Sequence, residues 1–182
     1  KGGQIREIHI EPEGAAAYPG AINAIREADI IVVGPGSLFT SVLPNLLVRG
    51  IREAVAASPA VKIYACNVAT QHGETDDFGV PEHVKTIENY LFPGAFHFVL
   101  ANSNIAGPLP TAWHSSPVAP PSNGMAADPT YGRFVYADVV AEENRYRHDP
   151  EKLAAAVMRL YYERAQLTRQ AAASAPAAVA LR

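Results

Sequence analysis

Cysteine occurs once in the 182 residues, at Cys66, so no intramolecular disulfide framework holds this chain together. A lone cysteine at the end of an apolar strand pattern reads as a buried, inert thiol and fits a reducing cytoplasm. No apolar run approaches the ~20 residues that cross a bilayer, and no signal peptide opens the chain. Basic clusters are missing too. With a net charge of −3 and a pI near 6.1, binding of nucleic acid through bulk electrostatics is excluded. No nucleophile elbow is present, because Gly34-Pro35-Gly36-Ser37-Leu38 lacks the closing glycine of G-x-S-x-G. The chain begins at Lys1 without an initiator methionine and runs almost at once into a strand pattern, so it is expected to be a piece of a longer protein.

What is present is an ordinary globular composition, 48% hydrophobic and 18% charged, long enough for one sizeable core. Residues 28–45, ADIIVVGPGSLFTSVLPN, carry the most information. An apolar run from Ile30 to Val33 stops at Gly34-Pro35-Gly36-Ser37, and a helical pattern resumes within a few residues. That order predicts a buried parallel strand whose carboxyl end enters a glycine turn and then a helix, the place where open α/β sheets collect ligands. Gly34 and Gly36 allow positive φ and close approach of a ligand. Ser37, Thr40 and Ser41 put hydroxyls and amides where a helix N-terminus attracts an anion. A tight strand-to-helix turn without a ligand is the alternative.

Elsewhere the alternation in Ile5–Ile10 predicts a strand, ended by Glu11-Pro12. A short helix follows Pro19-Gly20. After Pro44, residues Leu47, Gly50, Ile51, Ala54 and Val55 fall on one face of a helix that stops at Ser58-Pro59. Further strands are predicted over Val61–Cys66, Phe96–Ala101 and Arg133–Val140, with a helix from Pro81 burying Val84, Ile87 and Leu91. Residues 107–130 read as irregular, with an edge strand near Pro117–Pro120 and a docking surface as an alternative use. Asp149 is the expected N-cap of a last helix with Pro150 in its first position. The fold class is therefore α/β: a Rossmann-like, mostly parallel sheet flanked by helices, within residues 1–170 of a larger domain. The alanine-rich residues 171–182 are expected to be a frayed tail.

Three loops are expected to converge at the sheet's carboxyl edge: Gly34–Ser41 with Asn45, Asn67–Asp77 including Thr70 and Gln71, and Asn102–Asn104. Their amides and hydroxyls suit a phosphorylated, polyhydroxylated ligand. His72, Glu74, Asp76 and Asp77 match no metal signature and read as a solvated acidic loop, with a hard-cation site as the alternative. Glu74 is a candidate general base. His9 and His97 are assigned structural roles in strands, and His83 a surface position. Arg147, in Arg147-His148-Asp149, is either solvated or a cation for a diphosphate.

Three blocks, ADIIVVGPGSLFTSVLPNLLVRGIREAV, KIYACNVATQHGETDDFGVPEHVKTI and RHDPEKLA, together resemble the YvcK-like gluconeogenesis factor family. That family belongs to a wider group that includes 2-phospho-L-lactate transferase. The resemblance covers Ile5 to about Arg164. It implies a Rossmann-like cytoplasmic bacterial protein that binds a UDP-N-acetyl sugar and acts in carbon partitioning, cell-wall synthesis and cell-shape regulation. It also implies that Asn45 and Arg147 contact the nucleotide sugar, with Gly34–Thr40 beside its phosphates. The family's opening G-G-G-T-G turn has no counterpart here, since Gly2-Gly3 is not one. His72 stands where relatives carry proline, and Asn102–Asn104 matches only loosely.

The resulting expectation is a non-catalytic ligand-binding regulator with Gly34, Gly36, Ser37, Thr40, Asn45, Asn67, Thr70, Gln71 and Arg147 at its site. A regulatory protein partner and self-association through an exposed face accompany it, without nucleic acid or membrane. The alternative is a transferase that moves a phospho-lactyl type of group from a nucleotide-activated donor, with Mg²⁺, to a deazaflavin-type acceptor. No cofactor is expected in the first reading.

Overall fold

Four short, mostly apolar runs form the centre of the molecule, and valine and isoleucine dominate the first two, where β-branched side chains suit a sheet. A computed structural model describes residues 5–107, 109–120 and 133–174. Its strands are β1 (Ile30–Val33), β2 (Val61–Ala65), β3 (Phe98–Asn102) and β4 (Arg133–Ala137). They lie in the order β1-β2-β3-β4, and every pair is parallel. The register aligns Ile63 with Phe98 and Leu100 with Val135.

Helices α1 (Pro19–Glu27), α2 (Leu43–Leu47), α3 (Ile51–Ala57), α4 (Val80–Tyr90) and α5 (Pro150–Ser174) flank the sheet. Strand alternation sorts the core into two parts. Tyr64 and Val99 pack with Leu43, Val55, Val84 and Ile87 under α2, α3 and α4. Ile63, Phe98 and Leu100 point the other way and pack with Ala156 and Leu160 of α5. A sequential strand order keeps the crossover helices α2 to α4 on one face and leaves the other to α5. The carboxyl ends of all four strands therefore open at one edge.

Several expectations are corrected. Residues 5–10 form no ladder; Ile5 and Ile8, three apart, both pack on the core beneath α2–α4, a spacing that strand alternation does not allow. The helix expected through Leu47–Val55 is interrupted. Arg49 pairs through its backbone with Ala15 and Ala17, and Gly50 at φ +97° restarts the chain as α3. β3 begins at Phe98, two residues later than expected, and β4 ends at Ala137. Pro117 makes only an isolated antiparallel bridge with Ala69.

Val84, Ile87 and Leu91 are buried as predicted. Asp149 caps α5, its Oδ1 accepting from the amides of Glu151 and Lys152 at 2.9 Å each. That helix continues four residues past Gln170 to Ser174. The rest of the expected frayed tail, and residues 108 and 121–130 of the irregular segment, lie outside the described residues. Among the described residues no helix is long and apolar enough to cross a membrane.

Candidate functional site

The turn after β1 is shaped first by its neighbour strand. Gly34 sits at φ +79°, and a Cβ there would come within 2.7 Å of the Ala65 carbonyl oxygen. Glycine at this position is thus demanded by β2 rather than by a ligand. At Gly36 an added Cβ would meet Ser41 Cβ at 3.4 Å, an ordinary contact, so no neighbouring strand demands glycine here.

Side chains from the loop after β2 hold that turn in place. The Gly36 amide donates to Asn67 Oδ1 at 3.3 Å, and Gln71 Nε2 donates to Ser37 Oγ at 2.8 Å. The Thr40 hydroxyl donates to Glu74 Oε1 at 3.4 Å. Two acceptors in this network, Gln71 Oε1 and Glu74 Oε2, are buried with no hydrogen-bond partner among the described residues. Such atoms are costly unless a donor reaches them.

The loop between β4 and α5 completes the arrangement. His148 Nε2 donates to the Cys66 carbonyl at 3.0 Å, which pins the loop across the end of β2. Burial pushes the His148 imidazole below its ordinary value, while the bond to Cys66 pulls the other way. Arg147, exposed, is carried on this anchor, and its guanidinium has no hydrogen-bond or ion-pair partner among the described residues.

These groups border a cleft of about 500 Å³ lined by Gly36, Ser37, Asn67, Gln71, Tyr146 and Arg147, among others. A second cavity of about 300 Å³ adjoins it across the turn, sharing Pro35 and Gly36 and lined also by Gly34, Ser41 and Asn45. Asn45 and Arg147 therefore face neighbouring cavities, separated by the glycine turn. Asn45 Nδ2 also donates to the Ser41 carbonyl, one helical turn back.

Not every expected residue arrives. Thr70 is buried and bonded to Ser116 in both directions: its amide donates at 2.8 Å and its hydroxyl accepts at 2.9 Å. It fixes an extended segment and does not line the cleft. The expected loop Asn102–Asn104 does not line it either; its place is taken by Tyr146–His148.

Glu74 is half-buried rather than solvated, while Asp76 and Asp77 remain near the surface. His83 is fully buried against Phe78, with ring centres 5.6 Å apart, correcting its expected surface position. His9 is exposed and belongs to no strand. Cys66 is buried as expected, and burial pushes its thiol up to about 12.

Sequence reasoning missed Tyr146 and Trp113, whose rings meet edge to face at 5.1 Å with Trp113 43% exposed. Aromatics in proline-rich or polar loops carry no periodicity, so only their proximity reveals the pair. Together the cleft offers a cation, a hydroxyl, amide side chains and an aromatic ring at its edge, a set that fits an anionic ligand bearing hydroxyls and a flat ring.

Comparison with known proteins gives the same frame. The family described as 2-phospho-L-lactate transferase CofD matches residues 1–116. A gluconeogenesis factor of Listeria monocytogenes is 35% identical over 159 residues, covering 87% of this chain and 49% of that protein. The gluconeogenesis factor of Bacillus subtilis is 36% identical over 165 residues, covering 89% of this chain and 52% of its own length. The crystal structure of a UPF0052-family protein from Bacillus halodurans superposes with a TM-score of 0.76 at 33% identity, over 85% of this chain and 51% of that one. The chain thus spans about half the length of the curated relatives it matches. With a parallel α/β sheet, a glycine turn after its first strand and this run of relatives, the chain belongs to the CofD family.

Proposed function

We propose that this protein binds a UDP-N-acetyl sugar in the cleft at the carboxyl ends of β1 and β2. In this reading it is a non-catalytic, cytoplasmic regulator of carbon partitioning and cell-wall synthesis, of the gluconeogenesis factor kind. One observation carries the reading: Arg147, carried beside the anchored His148 and with no side-chain partner among the described residues, borders the same cleft as the Gly36-Ser37 turn. A diphosphate suits that pairing, because a guanidinium fork and the Ser37 hydroxyl, which accepts from Gln71, can both donate to phosphate oxygens. Sugar hydroxyls suit the amide side chains of Asn67 and Gln71, which line the same cleft. Tyr146 and Trp113 offer a face or edge to the base. Asn45 receives the end of the ligand that crosses the glycine turn into the adjoining cavity.

Binding then bridges three loops, and the changed surface is what a regulatory protein partner reads. Calorimetry on the full-length protein tests this. Arg147→Ala and Asn45→Ala are expected to weaken binding of a UDP-N-acetyl sugar without unfolding the protein. Wild-type affinity in both variants would overturn the assignment.

The family description itself favours a second reading, a transferase acting on a nucleotide-activated donor with Mg²⁺. Turnover of such a donor, measured with added Mg²⁺, decides for it.

A further inference from the structure

Away from the cleft, a cavity of about 530 Å³ opens between the carboxyl end of β4 and the first turns of α5. It shares no lining residue with the cleft at the glycine turn. β4 ends the sheet order, so among the described residues no further strand covers this flank.

Helical spacing builds one wall of the cavity. Lys152, Ala155, Ala156 and Arg159 follow one another at steps of three and four on α5, which puts them on one flank of the helix. Two turns separate the cations, roughly 10 Å along the axis. Between them the two alanines carry nothing beyond a methyl group and leave a shallow apolar floor. Ser103 and Tyr136 line the cavity from the sheet.

The two cations differ in what they touch. Lys152 Nζ donates to Asp138 Oδ2 and to the Val140 carbonyl, at 3.2 Å each, so its charge is balanced within the fold. Arg159 is exposed and has no hydrogen-bond or ion-pair partner among the described residues. The lining therefore carries one uncompensated positive charge, at the end away from the Asp138–Lys152 pair. A guanidinium fork matches the paired oxygens of a carboxylate or a phosphate. The alanine floor offers contact to a short hydrocarbon, and the ion pair bounds its length.

We propose that this cavity binds a small organic oxyanion, its charged group on Arg159 and its apolar body along Ala155 and Ala156. A carboxylate and a phosphate monoester share that chemistry. The site stands on its own geometry and does not depend on the nucleotide-sugar reading.

The test is an NMR titration of the ¹⁵N-labelled full-length protein with butyrate and, separately, with propyl phosphate, butylamine serving as the cationic control. Saturable shifts at Arg159 and Ser103 are expected with at least one anion and not with the amine. The anion that saturates at the lower concentration tells carboxylate from phosphate. Arg159→Ala should raise its dissociation constant by about tenfold or more. Ala155→Leu, which fills the floor from an exposed helical position, should weaken binding as well. Arg169→Ala, which changes another exposed arginine of α5, should leave it unchanged. Thermal melts establish that each variant is folded. No saturable shift with either anion, equal binding of the amine, or wild-type affinity in Arg159→Ala would overturn the proposal.

Discussion

The loops after β3 and β4 are similarly polar, yet their polar groups meet different ends. At the end of β3, Asn102 is buried and bonded through both its side-chain oxygen and nitrogen. Its Oδ1 accepts from the amides of Asn104 and Val139 at 3.3 Å each, and its Nδ2 donates to the Asn104 carbonyl at 2.9 Å. Asn104 in turn receives two bonds of 2.8 Å from Arg145. Two residues later in the same chain, Arg147 has no partner among the described residues and borders the cleft. Polar composition alone does not distinguish a brace from a site. What distinguishes them is whether the folded chain has already satisfied the group.

Substitutions can break this contrast. Asn102→Ala should have the largest effect. It leaves the buried Val139 amide unpaired and should cost about 2–3 kcal/mol in denaturant unfolding while leaving nucleotide-sugar affinity intact. A loss of affinity without a loss of stability would reverse the roles of the two loops. Arg147→Ala should do the opposite. Stability should stay within about 0.5 kcal/mol, while affinity for the UDP-N-acetyl sugar should fall about 10- to 100-fold by calorimetry.

Arg145→Ala should lower stability by about 1–2 kcal/mol through its two bonds to Asn104, with no direct effect on binding. Equal behaviour of the two arginine variants would erase the distinction.

The smallest effect concerns pH. Burial holds His148, His83 and His97 below the ordinary imidazole value of 6.5. The unfolded chain therefore takes up protons below that pH where the folded chain does not. Stability is full above about pH 6.5 and should decline as the pH falls towards 5. Melting temperatures measured across that window should drop, and less steeply for His148→Gln. An unchanged slope in that variant would mean that the His148 anchor is not buried in solution.

Much of the fold was legible because the central strands announce themselves. IIVV, VKIYA and FVLAN are apolar runs of strand length, each ending where a polar or glycine-rich loop begins. The cap at Asp149 and the buried stripe of α4 were equally readable, since both depend on neighbours within a few residues. Residues 5–10 misled because alternation is necessary for a strand but does not supply a partner. The break at Gly50 was hidden because its cause, the pairing of Arg49 with Ala15 and Ala17, lies more than thirty positions away. At the cleft, the turn after β1, Asn67 and Gln71 were expected from their place behind strands and Arg147 from its motif, and the fold brings them to line one cavity. Thr70 was misplaced and Tyr146 and Trp113 were overlooked, because a side chain's direction in an aperiodic loop has no local signature.

The amino-acid order by itself determined the strands, most of the helices and the glycine turn, since these follow from periodicity, capping and backbone freedom over short range. Only the tertiary structure decided which polar groups were left over. Gly34 became obligatory through the Ala65 carbonyl of the next strand, Arg145 was taken by Asn104, and Arg147 kept no side-chain partner among the described residues. Hydrogen-bond satisfaction is settled by packing between distant segments, so which polar groups remain unpaired is a property of the fold and not of any one stretch of chain.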